Sequence, residues 1–141
     1  MNTVSAIWRF VAAGVFLLQA SCSLEESMTK AEPCVTRFRQ QFDAEQFSEM
    51  YNQAGPRYRG ATTEAENSEL MRAIHTKLGA MSSSRQVGVF VNRGTEGTMV
   101  KSTYETQYTG GSAMETFLID IGGPTCEIVG YNIPSRALVL K

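Results

Sequence analysis

Apolar residues recur with a period of three to four in the first half of the chain and with a period of two in the second half. In the first helical stretch, Val35, Phe38 and Phe42 follow one another at spacings of three and four, which is typical of one apolar face of an α-helix. Pro33 is tolerated in the first turn of a helix but not in its middle. We therefore expect this helix to begin near Glu32.

Two further helices are indicated before the period changes. Residues 45–52 predict a short helix, and the segment QAGPRYRG after it is predicted to be a loop because Gly55-Pro56 is a strong turn signal. Thr63 and Glu66 have the spacing of a capping box at the start of a third helix. Gly79 suits a left-handed C-terminal cap. The stripe predicted to be buried on the third helix consists of Leu70, Met71, Ile74 and Leu78.

From residue 86 onward, apolar and polar residues alternate, which is typical of half-buried β-strands. The four predicted strands are QVGVFVN, TMVKSTYETQYT, AMETFLIDI and CEIVGYNI. Short glycine-containing segments at 93–97, 110–112 and 122–124 separate them and suit hairpins. Helices followed by such a meander predict an α+β domain in which N-terminal helices pack on a curved antiparallel four-stranded sheet.

Alternation also assigns side chains to the two faces of this sheet. One face of the second strand is aromatic and small, and one face of the third strand is apolar. These side chains either fill the core, which we favour, or line an apolar pocket for a ligand or partner. The residues predicted as possible pocket lining are Tyr104, Tyr108, Phe117, Ile119 and Tyr131.

The N-terminus has the features of an export signal. Arg9 precedes the nine-residue apolar run 10–18, which is too short to span a bilayer. The small residues 20–21 then stand directly before Cys22. This arrangement resembles the lipobox of bacterial lipoproteins, in which the cysteine after the cleavage site carries lipid, although Gln19 stands where Leu is usual. An ordinary cleavable signal and an uncleaved anchor are the alternatives.

The predicted organisation is a signal peptide at 1–21, a flexible tether at 22–31 and a single α+β domain at 32–141. The tether prediction rests on the polar segment CSLEESMTKAE. We expect an exported, membrane-anchored lipoprotein of the bacterial cell envelope, or otherwise a secreted or periplasmic protein. Its expected partners are the membrane, through the N-terminal lipid, and another envelope protein.

Composition narrows the class of protein. The chain of 141 residues is long enough for one domain, and its 43% hydrophobic and 19% charged residues argue against disorder. The net charge of −1, without a cluster of Lys or Arg, argues against nucleic-acid binding. The identity of any small-molecule ligand does not follow from the sequence.

The three cysteines fit the export prediction. If Cys22 carries lipid, Cys34 and Cys126 remain as a pair, and they either form a disulfide, which we favour, or act as two separate buried thiols. A metal site is not supported, because His75 is the single histidine and no close Cys/His spacing exists. We expect His75 to be a solvated or half-buried helix residue. No cofactor is predicted.

Three segments resemble uncharacterised bacterial proteins of the nuclear-transport-factor-two-like (cystatin-like) superfamily: FRQQFDAEQFSEMY, HTKLG and the closing CEIVGYNI. Members commonly end in a strand with Trp, an aliphatic residue and then Gly-Tyr-x-Ile. The residues that fit this ending are Ile128, Gly130, Tyr131 and Ile133. Cys126 stands where Trp is usual, which supports its pairing with Cys34.

The resemblance covers roughly residues 32–133 and implies a cone-shaped cystatin-like domain. The superfamily contains isomerases, dehydratases, hydrolases and binding modules, so the fold does not select a function. Its enzymes use an acid or base in a conical pocket, and the candidates are Asp120, Glu115 and Glu105, with the hydroxyls of Tyr104, Tyr108 and Tyr131 as donors. Asp120 and Glu105 lie on the wrong strand faces, and Glu115 lies at a strand end. We therefore expect a binding or interaction domain with no catalytic residues, and an enzyme of this type as the alternative.

Overall fold

The computed structural model describes the backbone of residues 19–139 and the side chains from Ser23 onward. The predicted signal peptide lies outside the described residues except for its last three positions. The described part of the chain is an α+β domain, as the sequence predicted. Its elements are α1 (Gln19–Asp43), α2 (Phe47–Asn52), α3 (Pro56–Arg59), α4 (Glu64–Leu78), β1 (Met81–Gly94), β2 (Gly97–Tyr108), β3 (Gly111–Asp120), β4 (Glu127–Asn132) and α5 (Arg136–Val139).

The four strands form one antiparallel sheet in the order β1-β2-β3-β4, so the sheet is an open meander with β1 and β4 at its edges. The three predicted hairpin connections are present. The register places Tyr104 of β2 opposite Glu115 of β3 and Phe117 of β3 opposite Tyr131 of β4. In β1 the register shifts twice, between Met81 and Ser83 and again after Gln86.

Helix α1 is much longer than its apolar stripe indicates. It already includes Gln19, the first residue whose backbone is described, so the predicted start near Glu32 is wrong, and residues 22–31 are helical. Packing explains the extension, because Ser27 and Ala31 are buried. The Arg93 guanidinium also donates to the Ser27 hydroxyl at 3.3 Å. Pro33 lies inside the helix, where it removes one backbone hydrogen bond that this packing offsets.

Helix α4 begins and ends at the predicted residues, although the ψ of −161° at Gly79 is not that of the predicted left-handed cap. The Thr63 side chain accepts from the Glu66 backbone N–H at 3.2 Å, and the Glu66 carboxylate accepts from the Thr63 N–H at 2.9 Å. Gly79 ends the helix with a φ of 73°, which favours glycine. Met71, Ile74 and Leu78 are buried, but the prediction for Leu70 is wrong, because this side chain is 56% exposed.

Two short helices lie in segments without helical periodicity. The predicted loop QAGPRYRG contains α3, which starts at Pro56 after the N-cap Gly55. The Gly55 N–H donates to the carbonyl of Ile128 at 2.9 Å, which fastens α3 to the edge strand β4. Near the C-terminus, α5 packs against β3 and α4. α3 has only four residues, and the described part of α5 is equally short, so both depend on these contacts.

The core lies between the helices and one face of the sheet, here called the inner face. The predicted division of β2 and β3 into two faces is confirmed by the alternation of burial along both strands. Aromatic rings connect helix and sheet, with the Phe38 ring 5.1 Å from Phe117 and 4.5 Å from Tyr131. The largest fully buried side chains are those of Phe117, Met71, Leu78, Ile119, Glu115, Val35, Val100, Thr106 and Cys34.

The cysteine pair joins α1 to the start of β4. Cys34 and Cys126 lie at disulfide distance, with their Cα atoms 6.0 Å apart. That separation is within the range of protein disulfides. The pair predicted from the cysteine count is therefore present in the fold.

Candidate functional site

A buried carboxylate, Glu115, lies in the middle of β3 on the inner face, not at a strand end as the sequence predicted, and is 1% exposed. Its Oε1 accepts from the hydroxyls of Tyr108 at 2.8 Å and Tyr131 at 2.9 Å. Its Oε2 accepts from the Thr106 hydroxyl at 2.5 Å and from the Arg39 guanidinium at 3.1 Å. Each carboxylate oxygen thus has two donors, which compensates the large penalty of burying a charge.

Arg39 reaches this carboxylate from helix α1. Its guanidinium lies 4.4 Å from the centre of the Tyr104 ring, and it donates to the Ser84 hydroxyl at 2.7 Å. The Tyr104 hydroxyl in turn donates to Glu32 of the same helix at 3.3 Å. The Glu115 network therefore connects α1 with all four strands, since its donors and their neighbours come from β1, β2 and β4.

The tyrosines of this network are held in their neutral form. Burial, followed by the charge of Glu115, raises the pKa of Tyr108 and of Tyr131 well above the ordinary value. Burial also raises the pKa of Tyr104, with the charge of Glu32 as the next cause. At neutral pH these phenols act as hydrogen-bond donors rather than as bases.

The geometry of the network suits a structural role better than acid–base catalysis. A general acid or base needs a free hydrogen-bonding position that faces the reacting group. The four donors to Glu115 occupy both oxygens, and the surrounding inner face is packed. The other two carboxylates considered from the sequence point elsewhere: Glu105 pairs with Arg85 on the outer face, and Asp120 accepts from the Gly122 N–H at 2.8 Å.

His75 lies on α4, outside the sheet. Its side chain is 18% exposed, its Nδ1 lies 3.9 Å from Glu45, and its ring centre is 5.1 Å from that of Phe42. This is the half-buried position expected from the sequence. Among residues 23–139, no group of three His, Cys, Asp or Glu side chains is placed to hold a metal ion.

A cleft of about 390 Å³ opens between helix α4 and the edge of the sheet. Its volume lies at the lower end of the range of small-molecule sites. We call it the α4–β4 cleft. Its described lining residues are Tyr58, Leu70, Met71, Ala73, Ile74, Lys77, Tyr131, Asn132, Ile133 and Leu138.

The α4–β4 cleft has an apolar wall and few polar groups. Leu70 is more than half exposed there, while Ile133 and Leu138 are only partly buried. The Lys77 ammonium lies on the same helix and donates to the Leu138 carbonyl at 2.8 Å. The Tyr58 hydroxyl donates to the Asn67 side chain of α4 at 2.6 Å, and burial raises its pKa.

Of the five residues considered as pocket lining from the sequence, Tyr131 lines the cleft. The Tyr131 hydroxyl also donates to Glu115, so this residue connects the cleft with the buried network. The other four, Tyr104, Tyr108, Phe117 and Ile119, are buried in the core. Sequence reasoning missed Arg39, Leu70 and Lys77 as functional candidates. The sequence signal for Leu70 was its apolar side chain, which the helical period assigned to the buried stripe.

The lipidation candidate Cys22 lies in the described part of α1 by its backbone, and its side chain lies outside the described part. Within residues 19–139, no helix is long and apolar enough to cross a membrane. Neither a protein-family model nor a curated protein matches the chain.

Proposed function

We propose that this chain is an exported, lipid-anchored protein of the cell envelope, and that its α+β domain is a binding module. The single observation that supports the binding role is the α4–β4 cleft, whose wall exposes an apolar side chain that the packing could have covered. We also propose that the domain has the cone of the nuclear-transport-factor-two-like superfamily. The packing of N-terminal helices on one face of a four-stranded antiparallel sheet supports this assignment.

The cleft offers apolar surface that a ligand can cover. Leu70 is 56% exposed, so covering it completely would gain roughly half of the 1.5–3 kcal/mol for burying a leucine, about 1 kcal/mol. Covering Ile133 and Leu138 adds to this gain, since both are only partly buried. A small apolar molecule can therefore bind by completing the packing between α4 and β4.

The buried network argues against a catalytic role for Glu115. Glu115 has a donor on each available side, and its neutral tyrosine donors have raised pKa values. A substrate would have to displace one of these donors from a packed interior. The network therefore stabilises the packing of α1 on the sheet, and ligand binding takes place at the α4–β4 cleft.

The proposed anchor is tested with a Cys22→Ala variant and fractionation of the producing cells. Acyl chains supply the free energy of anchoring through their buried methylenes, so the variant should leave the membrane fraction. A Ser23→Ala variant is the matched control and should remain attached. An unmodified residue after position 22 at the mature N-terminus, observed by mass spectrometry, would contradict the anchor.

The binding role is tested with a neutral apolar fluorescent probe, N-phenyl-1-naphthylamine, titrated into the purified Cys22→Ala chain. We expect saturable binding at a single site. Ala73→Trp, which places a large ring in the cleft, should abolish this binding. Ala65→Trp, at an exposed position in the first turn of the same helix and outside the cleft lining, should leave it unchanged. Equal binding by the two tryptophan variants would refute the cleft as the binding site.

A further inference from the structure

We infer that the α4–β4 cleft takes an amphiphile with one acidic head group and an apolar chain, such as a fatty acid. This inference rests on the proposed binding function and specifies its ligand class. The head group is placed at the Lys77 ammonium, and the chain is placed along the wall that carries Leu70.

The order of side chains along α4 supports this orientation. Ala73 and Ile74 follow Leu70 by three and four residues, and Lys77 follows Ile74 by three, so these side chains lie on one face of the helix, and all of them line the cleft. The rise of about 1.5 Å per residue places Lys77 roughly 10 Å from Leu70 along the helix axis. One face of the helix therefore presents a continuous apolar stretch that ends in a cation.

Charge complementarity selects an acidic head group. Among the described lining residues, Lys77 alone carries a formal charge. Its ammonium has three N–H donors, and the Leu138 carbonyl accepts from one of them. The hydroxyls of Tyr58 and Tyr131 already donate to Asn67 and Glu115. Lys77 thus supplies the charged donors among the described lining residues, and a carboxylate or phosphate oxygen can form a charge-assisted hydrogen bond there.

The dimensions of the cleft favour a single chain over a protein element. An α-helix with its side chains is about 10–12 Å in diameter, and a cleft of about 390 Å³ does not enclose such an element. An alkyl chain is much thinner than a helix and can lie along the α4 wall with its head group at Lys77. We therefore assign the cleft to a small amphiphile and not to a helical segment of a partner.

The experiment compares three displacing molecules that share a twelve-carbon chain: dodecanoate, dodecanol and dodecyltrimethylammonium. Each displaces the bound neutral probe from the Cys22→Ala chain below its micellar concentration. A charge-assisted hydrogen bond corresponds to at least about tenfold in affinity. We expect dodecanoate to bind about tenfold more tightly than dodecanol, and the cationic amphiphile to bind most weakly.

Variants then assign the effect to one side chain. Lys77→Gln should reduce the affinity for dodecanoate to that for dodecanol, and Lys77→Arg should restore the difference. Lys101→Gln, which removes an exposed cation from the outer face of the sheet, is the matched control and should change nothing. Circular dichroism of each variant verifies that the domain is folded.

The outcomes separate the ligand class from the binding function. Equal affinity for dodecanoate and dodecanol, with the probe still lost in Ala73→Trp, would overturn the acidic head group and leave the binding function intact. Probe binding that none of the three molecules displaces and that Ala73→Trp does not weaken would overturn both.

Discussion

Replacing Glu115 by Gln removes the negative charge of the buried carboxylate and preserves the size of the side chain. The substitution leaves the Arg39 guanidinium, whose side chain is 14% exposed, without its ionic partner. It also puts an amide N–H₂ group where one carboxylate oxygen accepted two hydrogen bonds. Removing one partner of a buried ion pair typically costs 3–5 kcal/mol. Because Arg39 keeps its contact with the Tyr104 ring, we expect the lower end, about 3 kcal/mol.

Urea unfolding followed by far-ultraviolet circular dichroism measures this change. With a slope of about 1–3 kcal/mol per molar, the midpoint should fall by about 1–3 M while the slope stays constant. Glu105→Gln is the matched control, since this residue forms a salt bridge with Arg85 in which both side chains are substantially exposed. The control should lose less than about 1 kcal/mol.

A double-mutant cycle tests the physical reason. If Glu115 and Arg39 stabilise each other, Glu115→Gln combined with Arg39→Met should cost at least about 1 kcal/mol less than the sum of the two single changes. Additive costs, or a loss in Glu115→Gln no larger than in Glu105→Gln, would refute the interpretation of the network as a coupled ion pair.

Three further predictions concern the Cys34–Cys126 disulfide, stability at alkaline pH and the glycine that ends α4. Replacing Cys34 and Cys126 by Ser should lower the free energy of unfolding by about 4–5 kcal/mol, because the bond constrains a separation of 92 residues; an unchanged urea midpoint would contradict it. The fold favours the protonated forms of Tyr108 and Tyr131, so their contribution to stability is complete below pH about 10 and is lost as the pH rises further. Tyr131→Phe should therefore flatten the decline of Tm above pH about 10. Parallel plots of Tm against pH for the variant and the wild type would argue against this cause. Gly79→Ala should lower the free energy of unfolding in urea by about 1–3 kcal/mol, because φ is 73° and a Cβ would collide with the β2–β3 turn. A variant as stable as the wild type would exclude this strain.

The strands and α4 could be predicted because their signals are local. Alternation along β2 and β3 gave the correct faces, including the inner position of Glu115, and the Thr63–Glu66 spacing gave the correct start of α4. The start of α1 could not be predicted, since the turns before Glu32 carry few large apolar residues and their burial depends on the distant hairpin residue Arg93. Their helical structure follows from tertiary packing rather than from periodicity.

The site was harder to predict than the fold. A basic residue such as Arg39 on a helix usually lies in solvent, and only the assembled sheet shows that it reaches a carboxylate 76 residues away. Leu70 has the spacing of a buried stripe, but the space next to it depends on how far β4 and α5 lie from α4. Periodicity gives the direction of a side chain on its own element and carries no information about the distance to the next element.

The two register shifts in β1 affect how copies of the protein can meet. An edge strand offers unpaired backbone groups to other chains, and a long regular edge invites sheet-to-sheet aggregation. In β1, which has 14 residues, the shifts leave Gly88–Gly94 as the longest stretch in regular register with β2. Bulges twist and interrupt an edge. A second chain could therefore add a continuous strand only along Gly88–Gly94, and the bulged part of the edge before Gly88 is protected from strand addition.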